Sequence, residues 1–187
     1  MGERALRKVE HTLVELKAQV DDLDFIRKKL AELKAKHIGT FCQNDVYFET
    51  PIGRLKLRET EGDHRTKLVY YERENVAGPK RSKVFLLKIE KPVHFKSLLE
   101  KALKTIATVN KTREIYRLHI FGDKISRVVK VHLDSVKGLG SFLEFEMGTT
   151  PKSFIEDREA LLSLIKKMGN SGDNLEALSY CDLIRDI

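Results

Sequence analysis

The sequence predicts an α+β domain centred on a closed, eight-stranded antiparallel β-barrel with flanking helices. Three observations support this fold class. About eight segments alternate with a period of two, helical segments interrupt them only at intervals, and charges recur at every second position of several strands. Side chains at i and i+2 share one face of a strand, so each such strand presents its charges together. Closed around one axis, the strands would enclose a tunnel lined by both signs of charge.

The first half of the chain is predicted to be mostly strand. Residues 10–20 alternate as the first strand, and Asp21 or Asp22 can cap a helix that has one apolar stripe and ends near Gly39. Four strands are predicted to follow, at residues 43–49, 53–60, 65–73 and 82–90. Glycine-containing turns at residues 51–53 and 62–64 separate the first three of these.

The second half mixes helices and strands. Pro92 is predicted to open a second amphipathic helix, and Pro151 lies at the start of a third that stops at Gly169. Between them lie three predicted strands, at residues 109–120, 125–134 and 141–148, and residues 177–187 are expected to form a short final helix. Strands and helices do not alternate regularly, which argues against a doubly wound parallel sheet.

Length and composition predict a single domain over residues 1–187, with residues 1–9 as a flexible N-terminal extension. The chain is 41% hydrophobic and 34% charged, which is typical of a folded domain rather than a disordered chain. Its net charge of +7 permits an anionic partner but does not choose between nucleotide, phosphate polymer and nucleic acid.

The sequence predicts a cytoplasmic protein without a membrane partner. Its apolar runs are far shorter than the roughly 18 residues needed to span a bilayer. No apolar stretch follows the basic residues at the N-terminus, so no secretory signal is expected. The two cysteines lack the spacing of a metal or redox motif, and we expect both to be reduced.

Basic residues with aliphatic neighbours recur along the predicted strands. They are Lys17, Lys56, Arg58, Arg73, Lys111, Arg113 and Lys130. Arginine forks bind phosphate oxygens in pairs and lysine acts as a point charge, so this mixture suits several successive phosphates. The strands also carry acidic residues, namely Glu15, Asp134, Glu144 and Glu146. Carboxylates are redundant for anion binding alone, but they suit Mg²⁺ or Mn²⁺ shared with substrate phosphates.

Other interpretations of these charges stay open at this point. Charges that alternate with aliphatic residues also occur on the solvated face of an ordinary sheet. Nucleic-acid binding is disfavoured because the chain lacks interleaved aromatic residues and contains no tryptophan. His132 alternates with Asp134 and could orient a ligand, although a hydrogen-bonded structural histidine is the expected role.

Several blocks of the chain resemble the signature of the CYTH proteins, also called triphosphate tunnel metalloenzymes. In the family's order they are residues 43–48 (QNDVYF), 53–59 (GRLKLRE), 70–73 (YYER), 78–80 (GPK), 111–116 (KTREIY), 132–146 (HLDSVKGLGSFLEFE) and 179–183 (SYCDL). The resemblance extends over about residues 14–184 and is strongest to the branch named after the class IV adenylyl cyclases. It implies an eight-stranded tunnel that binds triphosphates with divalent metal.

The resemblance also implies roles for individual residues. Phosphate contacts would come from Lys56, Arg58, Arg73, Lys111 and Arg113, with Lys130 where related proteins usually carry arginine. Metal ligands would be Glu15, Glu144 and Glu146, with Asp134 as a weaker candidate. Lys17 matches the family's N-terminal lysine, which contacts phosphate and helps to activate the attacking group. Lys17 and Glu15 are therefore the predicted catalytic residues.

One departure from the family's pattern affects the metal ligands. The family opens with E-x-E-x-K, but Leu13 stands where the first glutamate belongs, and leucine cannot bind a metal ion. Glu10 lies three residues upstream and on the wrong face of the strand. The pattern therefore predicts an intact phosphate site and a weakened metal site.

Three hypotheses about function follow. The leading one is a metal-dependent hydrolase of inorganic tripolyphosphate or of a small organic triphosphate such as thiamine triphosphate. The second is a class IV adenylyl cyclase that converts ATP to cyclic AMP and pyrophosphate. The third, motivated by Leu13, is a catalytically weakened protein that binds polyphosphate or nucleotide. A monomer or homodimer is expected in each case, since a closed barrel leaves few open strand edges.

Overall fold

Eight antiparallel strands close into a barrel in the order β1-β5-β4-β3-β2-β6-β7-β8. The structure is a computed structural model that describes residues 10–121, 126–170 and 172–186. The strands are β1 Glu10–Gln19, β2 Lys36–Phe48, β3 Arg54–Thr60, β4 Asp63–Arg73, β5 Lys80–Ile89, β6 Thr105–Phe121, β7 Ser126–Val136 and β8 Gly140–Gly148. The predicted fold class is confirmed. The N-terminal extension predicted at residues 1–9 lies outside the described residues.

Four helices flank the barrel. They are α1 Leu23–Glu32, α2 Pro92–Ala102, α3 Phe154–Lys167 and α4 Tyr180–Arg185. Asp22 caps α1 through a hydrogen bond from the amide of Phe25, as the sequence predicted. None of the helices in the described part of the chain is both long and apolar enough to pass through a bilayer.

The predicted end of α1 near Gly39 is wrong. The helix ends at Glu32, and Lys34 follows in the left-handed conformation with φ of 56°. The amide of Ala35 donates to the Leu30 carbonyl and that of Lys34 to the Ala31 carbonyl, which is the Schellman pattern. Glycine usually occupies the position that Lys34 takes here, so the glycines of the sequence do not indicate this end. β2 consequently begins at Lys36, well before the predicted residue 43.

The main hydrophobic core lies between the barrel wall and helices α1 and α3. Apolar residues on the outward faces of β1, β6, β7 and β8 pack against Ile26 and Leu30 of α1 and against Leu161, Leu164 and Ile165 of α3. A smaller cluster joins Val46, Phe48 and Leu57 to α2. Since these apolar side chains point outward, strand alternation turns the opposite set, which is rich in charge, into the barrel.

Candidate active site

The barrel encloses a cavity of about 410 Å³ that is lined by side chains from all eight strands. Ten of the eleven sequence-predicted site residues line it: Glu15, Lys17, Lys56, Arg58, Arg73, Lys111, Arg113, Lys130, Glu144 and Glu146. Asp134 lies behind this lining and is fully buried. The cavity falls within the usual size range of small-molecule sites, about 300–1,000 Å³. The charges therefore face one enclosed space and not the outer surface of a sheet.

Strand register brings the predicted acidic residues together on one side of the barrel. β8 pairs with β1 and with β7, so that Glu146 lies between Glu15 and Lys130. Two residues earlier on β8, Glu144 lies between Lys17 and His132. These two rows of cross-strand neighbours bring charges from residues far apart in the sequence into contact.

The neighbouring strands β2, β3, β6 and β7 carry a basic cluster organised around two buried carboxylates. It consists of Asp45, Lys56, Arg58, Lys111, Arg113 and Asp134, and we call it the basic cluster. Asp45 accepts hydrogen bonds from Arg58 Nε at 2.7 Å, from Arg58 Nη2 at 2.6 Å and from Lys56 Nζ at 3.0 Å. Burial alone would raise the pKa of Asp45, but these two cations hold it well below its usual value. Asp45 therefore stays ionised and fixes the arginine fork.

Asp134 binds the second pair of cations, Lys111 and Arg113, in the same way. It accepts from Arg113 Nε at 2.6 Å and from Arg113 Nη2 at 2.5 Å, while Lys111 Nζ lies 3.3 Å away. The Tyr180 hydroxyl also donates to it, at 2.8 Å. Both carboxylate oxygens are thus engaged by protein donors, and Asp134 is not among the residues that line the cavity. Its role as a weaker candidate metal ligand stays a prediction.

Buried lysines of the cavity have lowered pKa values. Burial and the guanidinium of Arg113 lower the pKa of Lys111 to about 7. Burial lowers that of Lys17 to about 8, with Arg73 as the next cause, and that of Lys56 to about 8, with Arg58 as the next cause. A polyanion in the cavity would favour the protonated form of all three.

Three potential metal ligands lie close together beside the basic cluster. One ligand atom from each of His132, Glu144 and Glu146 lies within 4.8 Å of the other two, and we call these residues the acidic group. Glu144 also accepts from Arg113 Nη2 at 2.8 Å, and Glu146 from Lys130 Nζ at 2.9 Å. Arg113 is the largest favourable influence on Glu144, whose pKa stays well below normal despite burial. Both glutamates are suited to bind a cation.

An observation that does not depend on charge also indicates that the acidic group fits a divalent ion. His132 is 4% exposed, and its Nδ1 makes no hydrogen bond with any described residue. Oxygen and nitrogen donors of this kind are common metal ligands. The expectation of a hydrogen-bonded structural histidine is therefore not met at Nδ1.

Glu15 and Leu13 stand at the edge of this group. Glu15 accepts from Arg73 Nη1 at 2.6 Å and is not among the three clustered ligands. Its pKa is raised because burial outweighs the effect of Arg73. Leu13 lines the cavity and pairs with Gly148 of β8, so no carboxylate stands at this position.

The C-terminal segment contacts three cations of the cavity through its backbone. The Lys17 ammonium donates to the Leu178 carbonyl, and Lys80 donates to the carbonyls of Glu176 and Ala177 at 2.7 and 3.2 Å. Arg73 Nη2 lies 3.3 Å from the Ala177 carbonyl. Residues 174–176 run beside the end of β1, where β5 no longer pairs with it. The segment thus holds these cations at one end of the barrel.

Helix α4 packs against that same end. Tyr180 and Cys181 join Tyr47, Val109 and Phe142 in a buried cluster. Ser179 and Asp182 form a capping box that starts the helix, and Asp182 accepts from Arg54 Nη2 at 2.7 Å. An aromatic wall and an ion pair therefore anchor the C-terminal segment to the barrel.

Sequence reasoning missed three residues of this site. Asp45 and Tyr180 lie inside blocks that resemble the family, and alternation with Tyr47 would have turned Asp45 inward. Lys80 is 1% exposed and lies in the fourth block, next to Pro79. Its partners are backbone carbonyls 96 and 97 residues away, which no periodic pattern indicates.

Comparison with known proteins gives consistent matches over most of the chain. Residues 11–180 match the CYTH domain family. A putative adenylate cyclase of Methanocaldococcus jannaschii is 28% identical over 189 residues, which cover 91% of this chain and 97% of that protein.

Solved structures of similar proteins have the same fold. The PH1012 protein of Pyrococcus horikoshii OT3 superposes with a TM-score of 0.78 at 24% identity, covering 91% of this chain and 98% of that one. A putative adenylyl cyclase from Hippeastrum, described as having a dominant triphosphatase activity, gives a TM-score of 0.64 at 16% identity, covering 93% and 95% of the two chains.

Proposed function

Because the chain belongs to the CYTH family, we propose that it is a metal-dependent hydrolase that acts on a triphosphate bound inside the barrel. The substrate is inorganic tripolyphosphate or a small organic triphosphate. The observation that carries this proposal is the convergence of buried cations and carboxylates on one cavity of about 410 Å³. No single charged pair would support it.

The basic cluster supplies the phosphate contacts in this proposal. Arg58 and Arg113 are each held in a two-point ion pair by a buried aspartate, so their remaining N–H groups are already positioned for an incoming anion. Lys56 and Lys111 add point charges between them. Binding a polyanion replaces repulsion among these cations by attraction, which favours the bound state.

The acidic side of the cavity supplies metal ligands and proton transfer. Glu144 and Glu146 would hold Mg²⁺ or Mn²⁺, with Glu15 close by through its pairing with Glu146. Such an ion would neutralise charge that develops on the phosphoryl group. Lys17, with its pKa lowered to about 8, can exchange a proton at Nζ near neutral pH. Lys17 and Glu15 are the catalytic residues in this proposal.

The test is an assay of products with matched substrates. Purified protein is incubated with tripolyphosphate, thiamine triphosphate or ATP, each with Mg²⁺ or Mn²⁺. Release of orthophosphate supports hydrolysis. The absence of products from every pair of substrate and metal would contradict an enzymatic role.

Adenylyl cyclisation is the second candidate. It is motivated by the name of the Methanocaldococcus jannaschii relative, which matches nearly the full length of both chains. In this reaction the ribose 3′-hydroxyl attacks instead of water, so ATP would give cyclic AMP and pyrophosphate in equal amounts. The same assay separates the two candidates, because hydrolysis of ATP gives no cyclic nucleotide.

A binding protein with weak turnover is the third candidate, and Leu13 motivates it. Leu13→Glu would add the carboxylate that the family's opening pattern contains. Activity gained only in Leu13→Glu would favour a decayed enzyme, whereas strong turnover by the unaltered protein would exclude the binding-only role. All side chains of the proposed site come from one chain, so a monomer suffices and a homodimer is compatible.

A further inference from the structure

His132 lies at a buried position in the barrel, where its imidazole nitrogens are expected to bind a hydrogen-bond partner or an ion. It lies on β7, with Ile115 of β6 on one side and Glu144 of β8 on the other. The residue is 4% exposed, and its side chain lines the cavity. An imidazole nitrogen in such a place normally makes a hydrogen bond.

Nδ1 of His132 makes none with the described residues. The nearest carboxylate oxygen, Glu144 Oε2, lies 3.9 Å away, which is beyond hydrogen-bond distance. A buried polar atom without a partner is costly, so a bound species that satisfies it would be stabilised.

Charge favours a shared ion over a water bridge in the acidic group. Its three ligand atoms lie within 4.8 Å of one another, and two ligands of one ion with bonds of about 2.0–2.2 Å lie at most about 4.4 Å apart, so the side chains close around the ion when they bind it. Two of the three ligands carry negative charge, which favours a cation. Lys130, the partner of Glu146, has a side chain that is 59% exposed and can turn toward solvent.

We infer that His132 provides a nitrogen ligand to a divalent ion held with Glu144 and Glu146, and that this ligand makes the site prefer Mn²⁺, Co²⁺ or Zn²⁺ to Mg²⁺. The inference deepens the proposed function, because it concerns the metal that the same cavity would use. Mg²⁺ favours oxygen ligands, whereas imidazole suits first-row transition ions.

The direct test is pulsed electron paramagnetic resonance of Mn²⁺ bound to the protein without any triphosphate. We expect a ¹⁴N coupling in the unaltered protein, its loss in His132→Asn, and its retention in His119→Asn. His119 is a matched control because it lies exposed on β6. A spectrum of the unaltered protein without ¹⁴N coupling would overturn the inference, even if His132→Asn failed to fold.

A competition titration gives the second readout. Relative to the unaltered protein, His132→Asn should bind Mn²⁺ and Co²⁺ on the order of 10–100-fold more weakly and Mg²⁺ less than about 3-fold more weakly. His132→Glu should shift the preference toward Mg²⁺, since all three ligands would then be oxygens. Equal losses for all three ions in His132→Asn would contradict the inference.

The two proposals can fail separately. Metal binding is measured without substrate, so a ¹⁴N coupling in a protein that hydrolyses nothing would leave the histidine ligand standing and remove the proposed function. Conversely, Mn²⁺-dependent hydrolysis without ¹⁴N coupling would support the enzyme and overturn the role of His132.

Discussion

The basic cluster and the acidic group line one cavity and meet where Arg113 donates to Glu144, but their charges are balanced in different ways. In the basic cluster, Asp45 and Asp134 are fully buried, and each holds an arginine through two hydrogen bonds. In the acidic group, Glu146 depends on the largely exposed Lys130, and His132 Nδ1 makes no hydrogen bond with a described residue. The carboxylates of the basic cluster are fully paired within the protein, whereas the acidic group still has side-chain atoms that can bind a ligand.

This difference indicates which charges serve the fold and which serve binding. A buried ion pair that loses one member leaves an uncompensated charge, so the aspartates of the basic cluster are part of the structure. Carboxylates paired with an exposed lysine can exchange that partner at low cost. Substitutions in the two regions should therefore affect different properties.

The largest expected effect is on stability, from Asp134→Ala. This change leaves Lys111 and Arg113 buried without their shared carboxylate, which should cost about 3–5 kcal/mol in the free energy of unfolding. Urea denaturation monitored by circular dichroism measures it. Glu146→Gln should cost far less in the same experiment. Equal losses for the two variants would remove the distinction between the two regions.

The next effect is on turnover, from Glu146→Gln. Removing a charged metal ligand should lower metal-dependent hydrolysis by at least about 100-fold and leave the far-ultraviolet spectrum unchanged. Glu159→Gln is the matched control, because Glu159 is exposed on α3. Full activity in Glu146→Gln would show that the acidic group does not hold the metal.

Much of this contrast could be predicted from the sequence. Charges at every second position predicted a lined tunnel, and the family resemblance assigned ten residues that do line the cavity. Their pairing could not be predicted in the same way. The family resemblance made Asp134 a weaker candidate metal ligand, but its ion pairing with Arg113 depends on the register between β6 and β7.

Other features were beyond pattern reasoning for different reasons. The end of α1 is set by a lysine in a conformation that glycine usually adopts. The contacts of Lys17 and Lys80 are made to backbone carbonyls of residues 176–178, and backbone acceptors leave no mark in residue type. The position of the C-terminal segment beside β1 is therefore a finding of the structure alone.

Arg58→Ala tests the role of the basic cluster in phosphate binding. Loss of one charge-assisted contact should weaken tripolyphosphate binding by about 1–3 kcal/mol, and the affinity of the free protein for Mn²⁺ should change little. Isothermal titration calorimetry can measure both. Lys83→Ala is the control, since Lys83 is exposed on β5. A loss of Mn²⁺ affinity as large as the loss of phosphate affinity would contradict the division of roles.

The smallest effect is a pH dependence with opposite signs for stability and binding. Burial lowers the pKa of Lys111 to about 7 and those of Lys17 and Lys56 to about 8, against 10.5 for ordinary lysine. The unfolded chain then binds more protons between these values, so the free protein should gain stability as pH rises from about 7 to 10.5. Tripolyphosphate favours the protonated lysines, so its affinity should fall over the same range.

Denaturation curves and calorimetry at a series of pH values check both signs. The contribution of each group can be separated by Lys111→Met, which should flatten the lower part of both pH profiles. Stability and affinity that rise together with pH would contradict the assignment of these buried lysines to phosphate binding.

The central claim is that triphosphate and metal meet between the basic cluster and the acidic group. A crystal structure with bound tripolyphosphate and Mn²⁺, with the metal located by anomalous scattering, tests it most directly. We expect the phosphates against Arg58 and Arg113 and the manganese peak at Glu144 and Glu146. A manganese peak elsewhere, or tripolyphosphate bound only on the outer surface of the barrel, would contradict the account.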